Sequence, residues 1–412
     1  MICRPALSRI VCLILCCLLI VASPARAEVR FQHPGVLLDR ARLDFIKQQV
    51  SAGTEPFASA FKAARESKSG SLSYLPEGPP ADHFILCGSY SNPNHGCTAE
   101  DKDATAAYLQ AILWYLTDNP AYAENAILIM NTYAKSLTEG HRQSNAPLQA
   151  AWTAEKWPAA AEIIRYTYDG WKPADISAFS TLLQTQYLPY LTAHHGEGKN
   201  GNWQLSMIDG MLGIAIFTED QALYAQAIGL WQKWVPAYVY HFALDGEQPV
   251  RFAGSPRDWN GQRVFNAGTS GVTQETCRDL GHTFLGVVAL TNAAETAYIQ
   301  GTDLFTPAQL RLTTMLEYHA RLLRGVRNKS GNNKLEVPAG FDGLCDGSYV
   351  PVLRGAFERA YNAYHVRMGV DLPETKAFLI EDMRPHAPPS DQHIVLWETL
   401  THADSPRASR PK

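Results

Sequence analysis

The sequence holds no C-x-x-C pair, no H-E-x-x-H motif and no G-x-S-x-G elbow. These absences remove the commonest zinc arrangements and the serine-hydrolase nucleophile. No metal ligand set stands out, so neither a metal nor a cofactor is expected. Basic excess is missing too: 36 Lys and Arg face 40 Asp and Glu, a formal charge of −4. That balance argues against nucleic acid or an anionic membrane as the main partner. A polyanionic substrate needs only a local basic patch. Low-complexity tracts, a clear linker and a recognisable repeat period are lacking as well. Beyond the N-terminus no apolar run reaches membrane-spanning length.

The first residues, 1–27, read as a secretory signal. Arg4 and Arg9 precede an apolar run over residues 10–22, and Ala25-Arg26-Ala27 is a small-x-small cleavage site. A run of 13 residues is short for a bilayer. Cleavage before Glu28 and a periplasmic or secreted protein are therefore expected. The signal takes three arginines and no acid with it, leaving 33 basic against 40 acidic side chains, a charge of −7. It also takes Cys3, Cys12, Cys16 and Cys17, so Cys87, Cys97, Cys277 and Cys345 remain. An even number of cysteines in an exported chain favours disulfides. Cys87 and Cys97 bracket a Gly/Asn/Pro-rich loop and are expected to pair locally, leaving Cys277 to reach Cys345. Residues 28–403 read as one domain, residues 404–412 as a basic, disordered tail, and the protein as a monomer.

Helical patterns recur with short turns between them. Residues 103–117 place Ala104, Ala107, Tyr108, Ala111, Ile112 and Tyr115 on one face, then stop at the breaker Asp118-Asn119-Pro120. A partner pattern follows at 121–137, and others occupy 158–168, 175–191, 203–217, 220–240, 273–300, 307–323 and 352–368. The stretch 203–217 has Asp209 as its one charged residue and is apolar nearly all round, as a buried inner helix must be. Its neighbour at 220–240 is more amphipathic, with Thr218 as the expected N-cap. Inner and outer helices alternating as hairpins describe an all-α fold, an α/α barrel or toroid, with an α-solenoid as the alternative. Residues 247–270 are Gly-rich and poor in helical pattern, and a loop that long inside a compact domain is commonly functional.

The strongest chemical signal is Gln274-Glu275-Thr276-Cys277-Arg278-Asp279-Leu280-Gly281-His282-Thr283. Read as helix, it sets Glu275, Arg278, Asp279 and His282 at i, i+3, i+4 and i+7 on one face. Charged groups avoid burial unless they are paired or line a cavity. The stripe is thus either a buried ion-pair network or the wall of a polar cleft. Three Asn/aromatic clusters sit at turns or helix starts. Tyr90 and Asn92 lie between Cys87 and Cys97. Asn145, Gln149 and Trp152 surround a helix begun by Pro147, with Asn145 expected to cap it. Asn202, Trp203 and Gln204 form the third. Each alone reads as a cap or turn; beside the charged stripe, together, they read as a sugar-binding cleft.

The stretches 87–97, 144–152, 200–203 and 274–283, with Ala294-Glu295-Thr296-Ala297-Tyr298-Ile299-Gln300-Gly301 and Ala360-Tyr361-Asn362-Ala363-Tyr364-His365, resemble alginate-lyase-like polysaccharide lyases over most of the chain. The resemblance implies a helical toroid and β-elimination of a uronic-acid polysaccharide such as alginate (polymannuronate) or glucuronan, giving 4,5-unsaturated uronate ends. Elimination removes a C5 proton beside a carboxylate, whose charge must be neutralised. A base must take that proton and an acid must protonate O4.

In the better-known alginate lyases an Asn-His pair, and an Arg followed seven residues later by Tyr, fill these roles. Asn202 and Arg278 match the Asn and the Arg, whereas Trp203 and Leu285 stand where His and Tyr would be. The expected base is then His282, with His241 as fallback and His194 and His195 in a loop near Asn202. The expected acid is a tyrosine, Tyr90 ahead of Tyr240 and Tyr364. Expected substrate contacts are Asn92, Asn145, Gln149, Trp152, Trp203, Gln204, Glu275, Tyr240, His241 and Tyr364. Two rival classes are a glycoside hydrolase using Glu275 and Asp279, which would have to flank the scissile bond, and a non-catalytic uronan-binding protein.

Overall fold

Helices pair off along the chain because each apolar stretch ends at a turn signal and restarts within a few residues. The computed structural model describes residues 30–193, 201–251, 259–327, 339–345, 357–385 and 397–404. A short ribbon, β1 (Gly35–Val36) and β2 (Leu38–Asp39), leads into α1 (Arg40–Ser51) and α2 (Phe57–Glu66). Next come β3 (Ile85–Cys87), β4 (Asn94–His95), α3 (Cys97–Thr117), α4 (Pro120–Ser136) and β5 (His141–Arg142). Strand β3 pairs antiparallel with β4 and parallel with β5. The chain continues through α5 (Ala146–Ala154), α6 (Trp157–Thr167), α7 (Pro173–Leu182), α8 (Leu188–Thr192), α9 (Gly201–Phe217), α10 (Gln221–Tyr238) and α11 (Phe242–Asp245). It closes with α12 (Leu280–Ile299), α13 (Phe305–Arg327), α14 (Glu358–Tyr361), α15 (Pro373–Phe378) and α16 (Glu398–His402).

Helices α3, α5, α6, α9 and α12 are buried along most of their length, while α4, α7 and α10 bury one face. α9 packs against α5, α10 and α12, and α3 against α4 and α6. Cross-helix bonds fix the direction of the inner set. Gln149 Nε2 donates to Glu100 near the start of α3 (2.8 Å), and Trp114 Nε1 to Thr167 further along (3.0 Å). Likewise Asn202 meets Glu275 just before α12 begins, and Asn292 Nδ2 donates to Asp209 deeper in (2.8 Å). The inner helices therefore run parallel, with outer helices returning antiparallel. This is the expected all-α toroid, and the N-termini of the inner helices share one rim. From Phe31 onward the described residues cluster as one compact unit. No helix among them is long and apolar enough to cross a membrane.

Where helix bounds depart from the sequence expectation, caps decide. Asp220 rather than Thr218 caps α10, accepting from Leu223 N–H at 2.9 Å, because the Thr218 hydroxyl already donates back to Ile214 O. The single helix expected over 273–300 is divided. Residues 274–278 form a turn, Asp279 is extended, and its carboxylate accepts from His282 N–H at 2.7 Å so that α12 starts at Leu280. Asn145 precedes α5, but its side chain makes no capping bond. Of the stretch 352–368, residues 352–356 lie outside the described residues, and α14 runs on into a π-type segment, Asn362–Arg367. Both disulfides form as expected, Cys87 with Cys97 and Cys277 with Cys345.

Candidate active site

The residues in front of α3, α5 and α12, and the first residues of α9, share the rim where those helices begin. Helix N-termini present unpaired N–H groups and the positive end of the macrodipole. At α9 and α12 these groups are met from within the protein: Gln274 and Glu275 accept from the first N–H groups of α9, and Asp279 caps α12.

Glu275 sits at the centre of this rim, fully buried. Asn202 Nδ2 lies 2.6 and 2.7 Å from its two oxygens, the Asn202 backbone N–H donates at 3.3 Å, and Arg278 Nη1 donates at 3.2 Å. Burial pushes the Glu275 carboxyl up to about 6, against the opposing pull of Asn202, His282 and Arg278. Arg278 is 23% exposed, and its remaining N–H groups have no partner among the described residues.

His282 follows one turn later. Its Nδ1 lies 2.6 Å from Asp279 Oδ2, while Asp279 Oδ1 takes the His282 backbone N–H. A carboxylate at Nδ1 selects the tautomer with its proton there, leaving the Nε2 lone pair open. Nε2 has no partner among the described residues, and the ring is partly exposed. Burial works to raise the Asp279 carboxyl, but the bonds from the His282 ring and backbone outweigh it and hold it below the usual range. The stripe read from the sequence is thus real as a constellation. A turn plus a capped helix start assembles it, not one continuous helical face.

A two-strand contact braces the turn. Gln274 N–H donates to Tyr238 O (2.7 Å), Tyr240 N–H to Val272 O (2.9 Å), and Val239 bridges Thr273 antiparallel. The Gln274 side chain in turn accepts from Gly201 N–H at 2.6 Å, next to Asn202. Tyr238 donates its hydroxyl to Thr283 O at 2.9 Å and lies 3.5 Å from Glu275 Oε2. Sequence reasoning missed Tyr238, which stands two places before a tyrosine it did select.

The loop between Cys87 and Cys97 precedes α3 at the same rim. It is docked on the start of α5 through Asn145 N–H to Cys87 O (2.9 Å) and the Ser89–Ser144 hydroxyl contact (3.2 Å). Tyr90 is 87% exposed there, and both Tyr90 and Ser91 have left-handed backbones (φ 54° and 52°). Left-handed conformations cost a side-chain-bearing residue roughly 1 kcal/mol or more and cluster at functional positions. Asn92 is exposed beside them.

Several expected contacts lie elsewhere. Gln149 is fully buried and donates to Glu100 and to Cys97 O, in a network where His141 and Tyr187 also bond Glu100. It supports the disulfide loop from beneath rather than facing a ligand. Tyr364 is buried with its hydroxyl on Phe305 O, beyond the far end of α12. Tyr240 is buried against Trp259 and Phe265, its hydroxyl donating to Gly246 O at 2.6 Å. His241 faces the Arg311–Asp245 ion pair, and burial together with Arg311 lowers its pKa. Asn145, Trp152 and Gln204 are buried, whereas Trp203 is partly exposed beside Asn202. His194 and His195 lie outside the described residues. The hydrolase alternative fails on geometry, since Glu275 is sealed beneath Asn202 and Asp279 serves as the α12 cap. No cluster of three or more metal-ligating side chains occurs among the described residues.

The family model for alginate lyase matches residues 88–329, more than half of the sequence. No curated protein matches the sequence directly. Alginate lyase A1-III from Sphingomonas species A1 shares the fold at a TM-score of 0.60 and 16% identity, over 89% of this chain and 95% of that one. The same enzyme complexed with a tetrasaccharide aligns at 0.62 and 15% identity, over 93% and 99% of the two chains. An alginate lyase from Bacteroides ovatus aligns at 0.54 and 13% identity, over 89% and 99%. Identities this low speak for a common fold, while the family match spans the inner helices and the whole rim described above. The chain belongs to the alginate lyase family of polysaccharide lyases.

Proposed function

We propose that the rim around Glu275 cleaves a uronic-acid polysaccharide, alginate or glucuronan, by β-elimination in the exported, monomeric protein. The observation that carries this reading is the adjacency of an anion clamp and an oriented imidazole. Arg278 offers unpaired N–H groups to the substrate carboxylate and so stabilises the charge that develops when C5 is deprotonated. Glu275, itself held by Asn202, holds Arg278 in place from behind; Asn202 keeps its Oδ1 unpaired among the described residues. His282, with Nδ1–H on Asp279 and Nε2 open, is oriented to take the C5 proton. Tyr90, held out on the disulfide loop, is the donor to O4, and Asn92 and Trp203 contact the flanking sugars. The tetrasaccharide bound by alginate lyase A1-III supports an acidic oligosaccharide as ligand.

The test is absorbance of the unsaturated uronate with alginate, polymannuronate and glucuronan as a panel. Wild type is expected to raise it on at least one polymer, with His282→Ala and Arg278→Ala both reduced at least about a hundredfold. His282→Ala with near-normal turnover in a folded protein removes that residue from the mechanism. New reducing ends without absorbance replace elimination by hydrolysis. Binding without either product returns the protein to the non-catalytic class.

A further inference from the structure

Tyr238 closes α10 and meets both the Gln274–Glu275 turn and the first turn of α12. Its backbone carbonyl accepts from Gln274 N–H at 2.7 Å, and its hydroxyl donates to Thr283 O at 2.9 Å while lying 3.5 Å from Glu275 Oε2. Its ring fills the space between the starts of α9 and α12. A Cβ on Gly201 would stand 2.1 Å from Tyr238 Cδ2, and one on Gly286 would stand 2.2 Å from the Tyr238 hydroxyl. Neither glycine has a positive φ, so neither is needed for a turn. A glycine inside a helix lowers its stability by about 1 kcal/mol relative to alanine. Here the absent side chains make room for one ring, which marks the placement of Tyr238 as something the two inner helices are built around.

We infer that Tyr238 is a positioning residue, locking the Glu275–Arg278 turn to the first turn of α12 so that the anion clamp and His282 keep a fixed separation. It is not the acid that protonates O4. Burial, with the Glu275 charge beside it, pushes its phenol well above the ordinary range, and the hydroxyl is engaged on Thr283. The inference rests on the elimination reading of this rim, and it concerns how the two halves of that site are held together.

Tyr238→Phe keeps the ring and removes only the hydroxyl. The expected result is kcat/KM lowered about fivefold to tenfold, because the anion clamp and the imidazole lose their fixed separation. Most of it falls on kcat rather than KM, and the melting temperature barely moves. Deuterium exchange of residues 274–283 in the free protein is expected to speed up while exchange in α4 stays constant. Unchanged kinetics and exchange overturn the inference and leave Tyr238 as a core side chain. A wild type that produces no unsaturated uronate defeats the elimination reading instead. In that case the exchange comparison still decides whether Tyr238 ties the turn to α12.

Discussion

Asp279→Asn separates the chemistry of His282 from the stability of its helix. Asp279 does two jobs with two oxygens: Oδ1 caps α12 through His282 N–H at 2.7 Å, and Oδ2 holds His282 Nδ1 at 2.6 Å. Asparagine is about as good an N-cap as aspartate, so Oδ1 keeps its role. The lost charge at a helix N-terminus costs about 0.3–1 kcal/mol. The amide NH2 now faces Nδ1 and donates to it, which moves the imidazole proton to Nε2 and removes the lone pair that would accept from C5. A correctly placed general base contributes about 10²–10⁴ in rate. The variant is therefore expected to lose at least about a hundredfold in initial rate of unsaturated-uronate formation while its stability changes by no more than about 1 kcal/mol. Asp279→Ala is expected to lose the same activity and a further ~1 kcal/mol, because the cap goes as well. Initial rates on the most responsive polymer, with urea unfolding on the same preparations, make the comparison. Asp279→Asn turning over at close to the wild-type rate would refute the assignment of His282 as an Asp-oriented base.

Other expectations follow from buried groups. Glu275 is fully buried with its carboxyl raised to about 6, above its ordinary 4.5. The folded state thus binds this proton more tightly than the unfolded chain. Its contribution is present below pH 4.5 and is lost as pH rises through about 6, a decline of about 2 kcal/mol that Glu275→Gln should abolish in urea unfolding across that range. Parallel slopes for the two proteins would contradict the assignment. Asp209 is raised further, to about 8, by burial that outweighs Asn292 and Arg359. By the same sign, Asp209→Asn should gain stability over wild type between pH 5 and pH 8, by about 2 kcal/mol or more. The Asn292 amide can turn to accept the new NH2, since its Oδ1 is unpaired among the described residues. A gain independent of pH would point to packing instead. The Cys277–Cys345 bridge closes a separation of 68 residues beside Glu275 and Arg278. Chain entropy assigns it about 4 kcal/mol, so Cys345→Ser should lower the melting temperature and activity together, and an unchanged melting temperature would deny it a structural role.

The inner helices were legible because burial on every side leaves a direct mark in composition. Residues 203–217 carry one charge, and α9 is buried at all positions except Trp203. The stop at Asp118-Asn119-Pro120 was equally direct, with the Asn119 side chain accepting from Ala121 N–H. The division before α12 was not legible by periodicity. A turn and a helix both bond residues three and four apart, so Glu275, Arg278 and Asp279 keep the same spacing in either. Only the extended backbone of Asp279 distinguishes them. Gln149 was misread for a related reason. Its partner Glu100 is 49 residues away, and nothing local tells a polar side chain facing such a partner from one facing solvent. Tyr238 left no signal of its own. Its trace lies in Gly201 and Gly286, whose meaning emerges only when the ring between them is seen.

Mass spectrometry of the products from one digested uronan tests the central claim most directly. Elimination at the Glu275–His282 rim breaks the C4–O4 bond without adding water. The expected digest is a ladder of oligosaccharides whose non-reducing ends are unsaturated and one water lighter than the intact sugars, and which Arg278→Ala does not produce. A ladder of saturated oligosaccharides, each carrying the added water of hydrolysis, or the same unsaturated ladder from Arg278→Ala, would contradict the mechanism.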